Sequence, residues 1–125
     1  MREIKFRAWC KAKKKLYEVY SISKYEIVVY DISNQKEYLC EDCVLLQYTG
    51  LKDKNGVEIY EGDIVENIQY LEYEVKFLQD DCAFVFQRKQ QNPIPISNST
   101  VFYNNFKVIG NIYENPELLE QKWKS

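Results

Sequence analysis

Cys40-Glu41-Asp42-Cys43 is the one stretch of the chain whose residue types and spacing carry a chemical name. Two cysteines separated by two residues suit thiol–disulfide exchange or one half of a tetrahedral zinc site. A thioredoxin-like pair wants a strand-to-helix context that lowers the first thiol's pKa, whereas the two acids between these sulfurs act the other way. A zinc site needs two more ligands. The chain has no histidine, so Cys10 and Cys82 would have to supply them, and they are not spaced as a second pair. The expectation is therefore ordinary reduced cysteines, with no bound metal and no cofactor. Disulfides are a minor reading, because cytosolic redox systems keep thiols reduced.

The missing histidine also excludes Ser-His-Asp and Cys-His catalysis and imidazole acid–base work near neutral pH. Carboxylate pairs remain: Glu61 and Asp63 flank Gly62, and Asp80 and Asp81 adjoin. Two acids divide acid and base roles only where their surroundings push their pKa values apart, and nothing local to these pairs does so. They read as solvated turn acids, and no catalytic residue is expected. Lys11, Lys13, Lys14 and Lys15 form a basic cluster that could grip phosphates, with Trp9 and Tyr17 as flanking stacking surfaces. The same lysines also suit a solvated hairpin tip that protects a sheet edge.

These residues must be positioned by strands. In "EIKFRAW" (Glu3 to Trp9), Ile4, Phe6 and Ala8 share one face and Glu3, Lys5 and Arg7 the other. After "KAKKK" the pattern resumes in "LYEVYSI" (Leu16 to Ile22), giving a hairpin with a basic tip. "YEIVVYDI" (Tyr25 to Ile32) and "CVLLQYT" (Cys43 to Thr49) read as the third and fourth strands, with a short helix allowed between Ser33 and Leu46. Asn55-Gly56 suits a type I′ hairpin turn. A tight hairpin would set Asp53 against Glu58, so a looser turn competes. Gly62 reads as a second turn.

"LEYEVKF" alternates strictly, with Leu71, Tyr73, Val75 and Phe77 inward and Glu72, Glu74 and Lys76 outward. "CAFVFQR" (Cys82 to Arg88) is apolar on both faces, as in a central strand. Pro93 and Pro95 bar the segment from Lys89 to Ser99 from an internal sheet position. "FKVIGNIY" (Phe106 to Tyr113) is the last strand. A terminal helix follows, with Asn115 as N-cap, Pro116 in the first position, Lys122 and Lys124 near its end, and Leu119 and Trp123 on one face.

Charge is uneven: residues 1–15 carry seven Lys/Arg against one acid, the remainder ten against eighteen. An acidic body opposes nucleic-acid binding over the whole surface and leaves only the basic edge for it. No apolar run reaches the ~20 residues of a membrane span, and the N-terminus lacks a signal-peptide core, so the expectation is a cytoplasmic protein with no membrane contact. Eleven Tyr, six Phe and two Trp supply an aromatic share of 15%. Tyr73 belongs to the core stripe, whereas Tyr70 faces outward and is available for recognition.

Three blocks, "REIKFRAW", "QYTGLKDKNGVEIYEGDIV" and "VIGNIYENPELL", occur in that order across nearly the whole chain, and together they resemble the YopX family of small phage and prophage proteins. The resemblance implies an SH3-like β-barrel in the C-terminal half, preceded by a smaller β-rich part. It brings no catalytic or binding residues with it. The chain departs from the family pattern at Cys10, where an acid is expected, and Cys40 and Cys43 lie outside the shared blocks.

The fold expected is mainly β. A β-rich subdomain spans residues 1–49, and the barrel with a short C-terminal α-helix spans 50–125. The function expected is a non-enzymatic interaction module that binds another protein or itself. A nucleic-acid-binding accessory role through the basic hairpin stands second, and a carboxylate hydrolase third.

Overall fold

The computed structural model describes residues 5–96 and 105–119. Its backbone separates into two compact units, Met1–Tyr48 and Thr49–Ser125. The first contains β1 (Phe6–Cys10), β2 (Lys15–Ile22), β3 (Ile27–Asp31), β4 (Lys36–Cys40) and the opening half of β5 (Cys43–Lys52). They lie in the order β4-β3-β2-β1-β5, all antiparallel. Beyond β5 the order continues with β6 (Glu58–Tyr60), which belongs to the second unit.

Period-2 alternation makes these strands, and side-chain oxygens make their turns. On one face Ala8, Cys10, Tyr17, Val29 and Cys40 are buried together, with Val19, Ile27, Tyr38, Cys43 and Leu45 packed against them. The Ser23 hydroxyl oxygen accepts the main-chain N–H groups of Tyr25 and Glu26, closing the β2–β3 turn. Asp31 Oδ1 accepts Ser33 N at 2.9 Å and starts the turn into β4. The helix allowed between Ser33 and Leu46 is thus replaced by a strand. The Asp31-to-Ser33 contact and the partnered turn at Asn34, whose Oδ1 accepts Lys36 N, favour a hairpin there.

The second unit adds β7 (Asp63–Glu66), β8 (Glu72–Leu78), β9 (Ala83–Gln87), β10 (Ile94–Pro95), β11 (Lys107–Asn111) and a 3-10 helix, Pro116–Leu119. Its sheet runs β10-β9-β8-β7-β11, again antiparallel. Pro95 sits in the edge strand β10, where its missing N–H costs no ladder bond. β9 is buried at Phe84, Val85 and Phe86, as its doubly apolar sequence requires. The core gathers Ile59, Val65, Tyr73, Val75, Phe86 and Phe106, with the Phe86 and Phe106 rings 4.5 Å apart and Tyr73 edge-on to Phe106 at 5.5 Å. Each fully buried aliphatic or aromatic side chain contributes roughly 1.5–3 kcal/mol by leaving water.

Three expectations are corrected here. Among the described residues the second sheet is open, with β10 and β11 at its edges, so these strands form no closed barrel. In place of the start of an α-helix stands a 3-10 turn, because Asn115 Oδ1 accepts Asn111 N and leaves the capping position. Lys122, Trp123 and Lys124 lie outside the described residues. In β8, Glu72 is buried and Phe77 is exposed, the reverse of the strict alternation. Beside Glu72, Arg88 Nη1 donates to the Glu72 main-chain carbonyl while the guanidinium lies 5.5 Å from the Tyr73 ring centroid. Phe77 leaves the core at the strand end, held edge-on against Phe84.

The turn around Asn55-Gly56 takes the looser form. Gly56 has φ 83°, and its N–H donates to the Asp53 carbonyl. Asp53, 5% exposed, does not confront Glu58. Its Oδ1 accepts Asn55 N and Val57 N, and its Oδ2 accepts Val108 N at 2.8 Å. One carboxylate therefore fixes the turn and fastens it to β11. Gly62 has φ 87°; its N–H donates to the Val75 carbonyl, and its carbonyl accepts Ile112 N.

Asp53→Ala is expected to lower stability by about 3 kcal/mol, since it leaves three backbone donors without their acceptor. Gly56→Ala should cost only about 1 kcal/mol, because a Cβ there meets no heavy atom within 4 Å and the left-handed backbone is the sole penalty. Gly62→Val should fall between them or match the larger loss. Urea denaturation of the three variants checks the order; an Asp53→Ala variant as stable as Gly56→Ala contradicts the pinning role.

Candidate functional site

The basic cluster occupies the β1–β2 turn, where Lys14 N donates to the Cys10 carbonyl. Two of its four lysines are already engaged. Lys15 Nζ lies 3.0 Å from Asp31 Oδ2, and Lys13 Nζ sits 3.8 Å from the Tyr38 ring centroid. Lys11 and Lys14 are exposed. Tyr17, expected as a stacking surface, is 5% exposed because it faces the core cluster, so no base reaches it. Trp9 is half-buried. The cluster is thus smaller as a phosphate grip than its sequence indicates.

The acids divide differently from expectation. Asp63 is no solvated turn acid: it is 2% exposed, and its Oδ2 accepts Tyr60 N at 2.8 Å. Asp80 and Asp81 are exposed in the β8–β9 turn. Sequence reasoning missed Glu74 on β8. Burial raises its pKa, opposed by Lys76, and Tyr113 is raised by burial and then by the nearby Glu61 and Glu74. Glu61, Glu74 and Tyr113 come from three separate segments, and no spacing rule joins them. Burial lets Glu74 hold its proton at a higher pH than a free glutamate.

The cysteines depart furthest from expectation. Cys40 and Cys43 are joined in a disulfide across the two-residue Glu41-Asp42 turn, with Cα atoms 5.8 Å apart, in place of two reduced thiols. The β1–β5 register sets Cys10 opposite Cys43. The Cys10 sulfur, the Cys40 sulfur and an Asp42 carboxylate oxygen lie within 4.8 Å of one another, with Cys10 Sγ 3.8 Å from Asp42 Oδ1. Cys10 is a buried free thiol, and Cys82 is a separate, exposed one in the second unit. The position of Cys10, 30 residues before Cys40, concealed this juxtaposition, which only strand pairing creates.

The fourth candidate is apolar. Tyr20, Ile22, Tyr25, Ile32 and Leu39 are all exposed between residues 20 and 39, on β2, β4 and the turns around β3. In the second unit Tyr70 is exposed and Tyr73 buried, as expected from the stripe.

Comparison with known proteins adds two findings. Residues 5–120 match the family described as YopX protein. The chain is also similar to a solved structure, "Crystal structure of protein EF1440 from Enterococcus faecalis", at 30% identity and a TM-score of 0.65, covering 96% of this chain and 100% of that one. No curated protein matches the chain.

The Lys15–Asp31 pair has a pH signature. The Ser33 hydroxyl first, and Lys15 second, hold the Asp31 carboxyl down from 3.8 to about 2. The Asp31 hydrogen bond raises Lys15 above 10.5. A depressed acid stabilises the fold above its unfolded pKa and loses that contribution as pH falls through the folded value; the raised lysine contributes below 10.5 and loses it above. Asp31→Asn should therefore flatten the loss of stability between about pH 4 and pH 2. Urea midpoints measured down the acid limb check this; superimposable wild-type and variant curves contradict it.

Proposed function

This chain belongs to the YopX family, and on that premise we propose that it is a non-enzymatic protein-interaction module of phage or prophage origin, acting in the host cytoplasm. The observation that carries the reading is the concentration of exposed apolar side chains between residues 20 and 39, with Tyr25 at 86% and Leu39 at 64% exposure. Scattered surface hydrophobics are ordinary, but five in twenty residues, with Leu39 on an edge strand, favour an interaction role for this part of the first unit. β4 stands at the edge of its sheet, so its outer backbone groups are available to an added strand. The partner that fits is an extended protein segment that pairs with β4 and covers Leu39. Lys36 and Glu37 at the start of β4 discourage indiscriminate pairing.

On this reading the second unit is an open, SH3-like scaffold. Its buried acids serve backbone geometry. The basic turn, with Lys13 and Lys15 engaged, plays a supporting part through charge steering, and nucleic-acid binding is the second reading. No helix among the described residues is long and apolar enough to cross a membrane.

Affinity capture from prophage-carrying cells, run with wild type and Leu39→Asp, tests the proposal. Leu39 is exposed, so its substitution should move stability by no more than about 0.5 kcal/mol. A protein partner should copurify with wild type and bind the variant roughly 30-fold more weakly, the effect of losing about 2 kcal/mol at an interface hot spot. Capture of nucleic acid that disappears on nuclease treatment overturns the reading in favour of the basic turn.

A further inference from the structure

We propose that Cys10, Cys40, Cys43 and Asp42 form a redox-gated site for a thiophilic divalent cation, zinc. Three of the four donors already stand together: the Cys10 and Cys40 sulfurs and an Asp42 oxygen lie within 4.8 Å of one another. Cys43, the disulfide partner of Cys40 and the β1–β5 partner of Cys10, stands outside that 4.8 Å group and would turn its sulfur in as the fourth donor once the disulfide is reduced. A tetrahedron built on Zn–S of about 2.3 Å and Zn–O of about 2.0 Å has edges of roughly 3.5–3.8 Å. Cys10 Sγ and Asp42 Oδ1 are 3.8 Å apart, so a small side-chain shift brings them to the roughly 3.5 Å that a sulfur and an oxygen ligand of one zinc ion span.

The chemistry of the donors selects the metal. Three thiolates and one carboxylate suit zinc, whereas magnesium and calcium want oxygen donors alone. Cys40-x-x-Cys43 has the ligand spacing of structural zinc sites, and the third sulfur arrives from the neighbouring strand β1. Cys10 and Cys40 are buried and Asp42 is exposed at the rim, which gives the ion an entry path past the carboxylate. A zinc ion with these four ligands leaves a charge of −2 on the site. The turn that begins directly after Cys10 carries Lys11, Lys13 and Lys14, which offset it. Asp42, an obstacle to thioredoxin-like chemistry, becomes a ligand.

The disulfide is the gate. Oxidised, the Cys40–Cys43 bond removes two donors and leaves Cys10 and Asp42, too few to hold an ion. A dithiol reductant transfers two electrons and two protons to that bond. The S–S bond breaks, two thiols form, and the reductant closes its own disulfide. Zinc then displaces the protons of three thiols to solvent and binds the thiolates, so loading follows reduction and is weakened at low pH.

The test uses the full chain with zinc alone, in competition with a chromogenic chelator, before and after anaerobic reduction by a phosphine that is then removed. The reduced chain should take one zinc ion per chain, at least roughly 100-fold more tightly than the oxidised chain. Cobalt in its place should show the visible bands of tetrahedral thiolate coordination. Cys82→Ser should bind as wild type, while Asp42→Asn should lose roughly 10-fold and Cys10→Ser roughly 100-fold. A reduced chain that keeps its β-sheet circular dichroism and binds no zinc overturns the proposal, and so does equal binding by the oxidised chain. Because Cys10→Ser alters the core, the wild-type redox comparison and the exposed Asp42→Asn variant decide the matter if that protein fails to fold.

Discussion

A buried backbone N–H must find an acceptor, and in this protein short polar side chains supply the acceptors that strands cannot. Asp53 is the clearest instance. Its two carboxylate oxygens take three main-chain donors, one of them 55 residues away at Val108, so the loop after β5 and the start of β11 become one piece. Lys54 N donates to the Phe106 carbonyl beside it, and Phe106 carries its ring into the core of the second unit. Thr49 works in the same way: its hydroxyl donates to the Ile59 carbonyl and accepts Leu51 N. With Asp63 on Tyr60 N, the segment from Thr49 to Asp63 is a set of internal braces. A buried carboxylate held by backbone donors is costly to lose and needs no counterion to persist.

The first unit follows the same rule with smaller groups and less burial. Ser23, Asp31 and Asn34 each turn the chain by accepting N–H groups two or three residues ahead. Those turns bring four strands into a sheet whose inner face holds Val29 at its middle and the cysteines at one end. Its outward residues are left to solvent, and the exposed aromatics and aliphatics between residues 20 and 39 are the consequence. Such braces serve both units, and the two candidate recognition features, the apolar region and the cysteine cluster, lie in the first.

Much of the strand pattern was legible beforehand. The β1–β2 hairpin with its lysine tip, the doubly apolar β9, the edge placement of Pro95 and the left-handed Gly56 and Gly62 all follow from periodicity and turn chemistry. β4 was not, because five residues of "KEYLC" give too short a pattern to separate strand from helix. Glu72 was misplaced because burial at the start of β8 depends on neighbours distant in sequence, such as Arg88 sixteen residues on, which alternation does not register. The open second sheet also depends on pairing between separate segments.

The amino-acid order alone determined that this is a mainly β protein with no histidine chemistry, since those conclusions rest on composition, residue period and local backbone preference. Tertiary structure alone decided which charged residues are buried, and that Cys10 meets Cys40, Cys43 and Asp42. Proximity in space is set by strand register, and register is a property of paired segments that neither segment carries by itself.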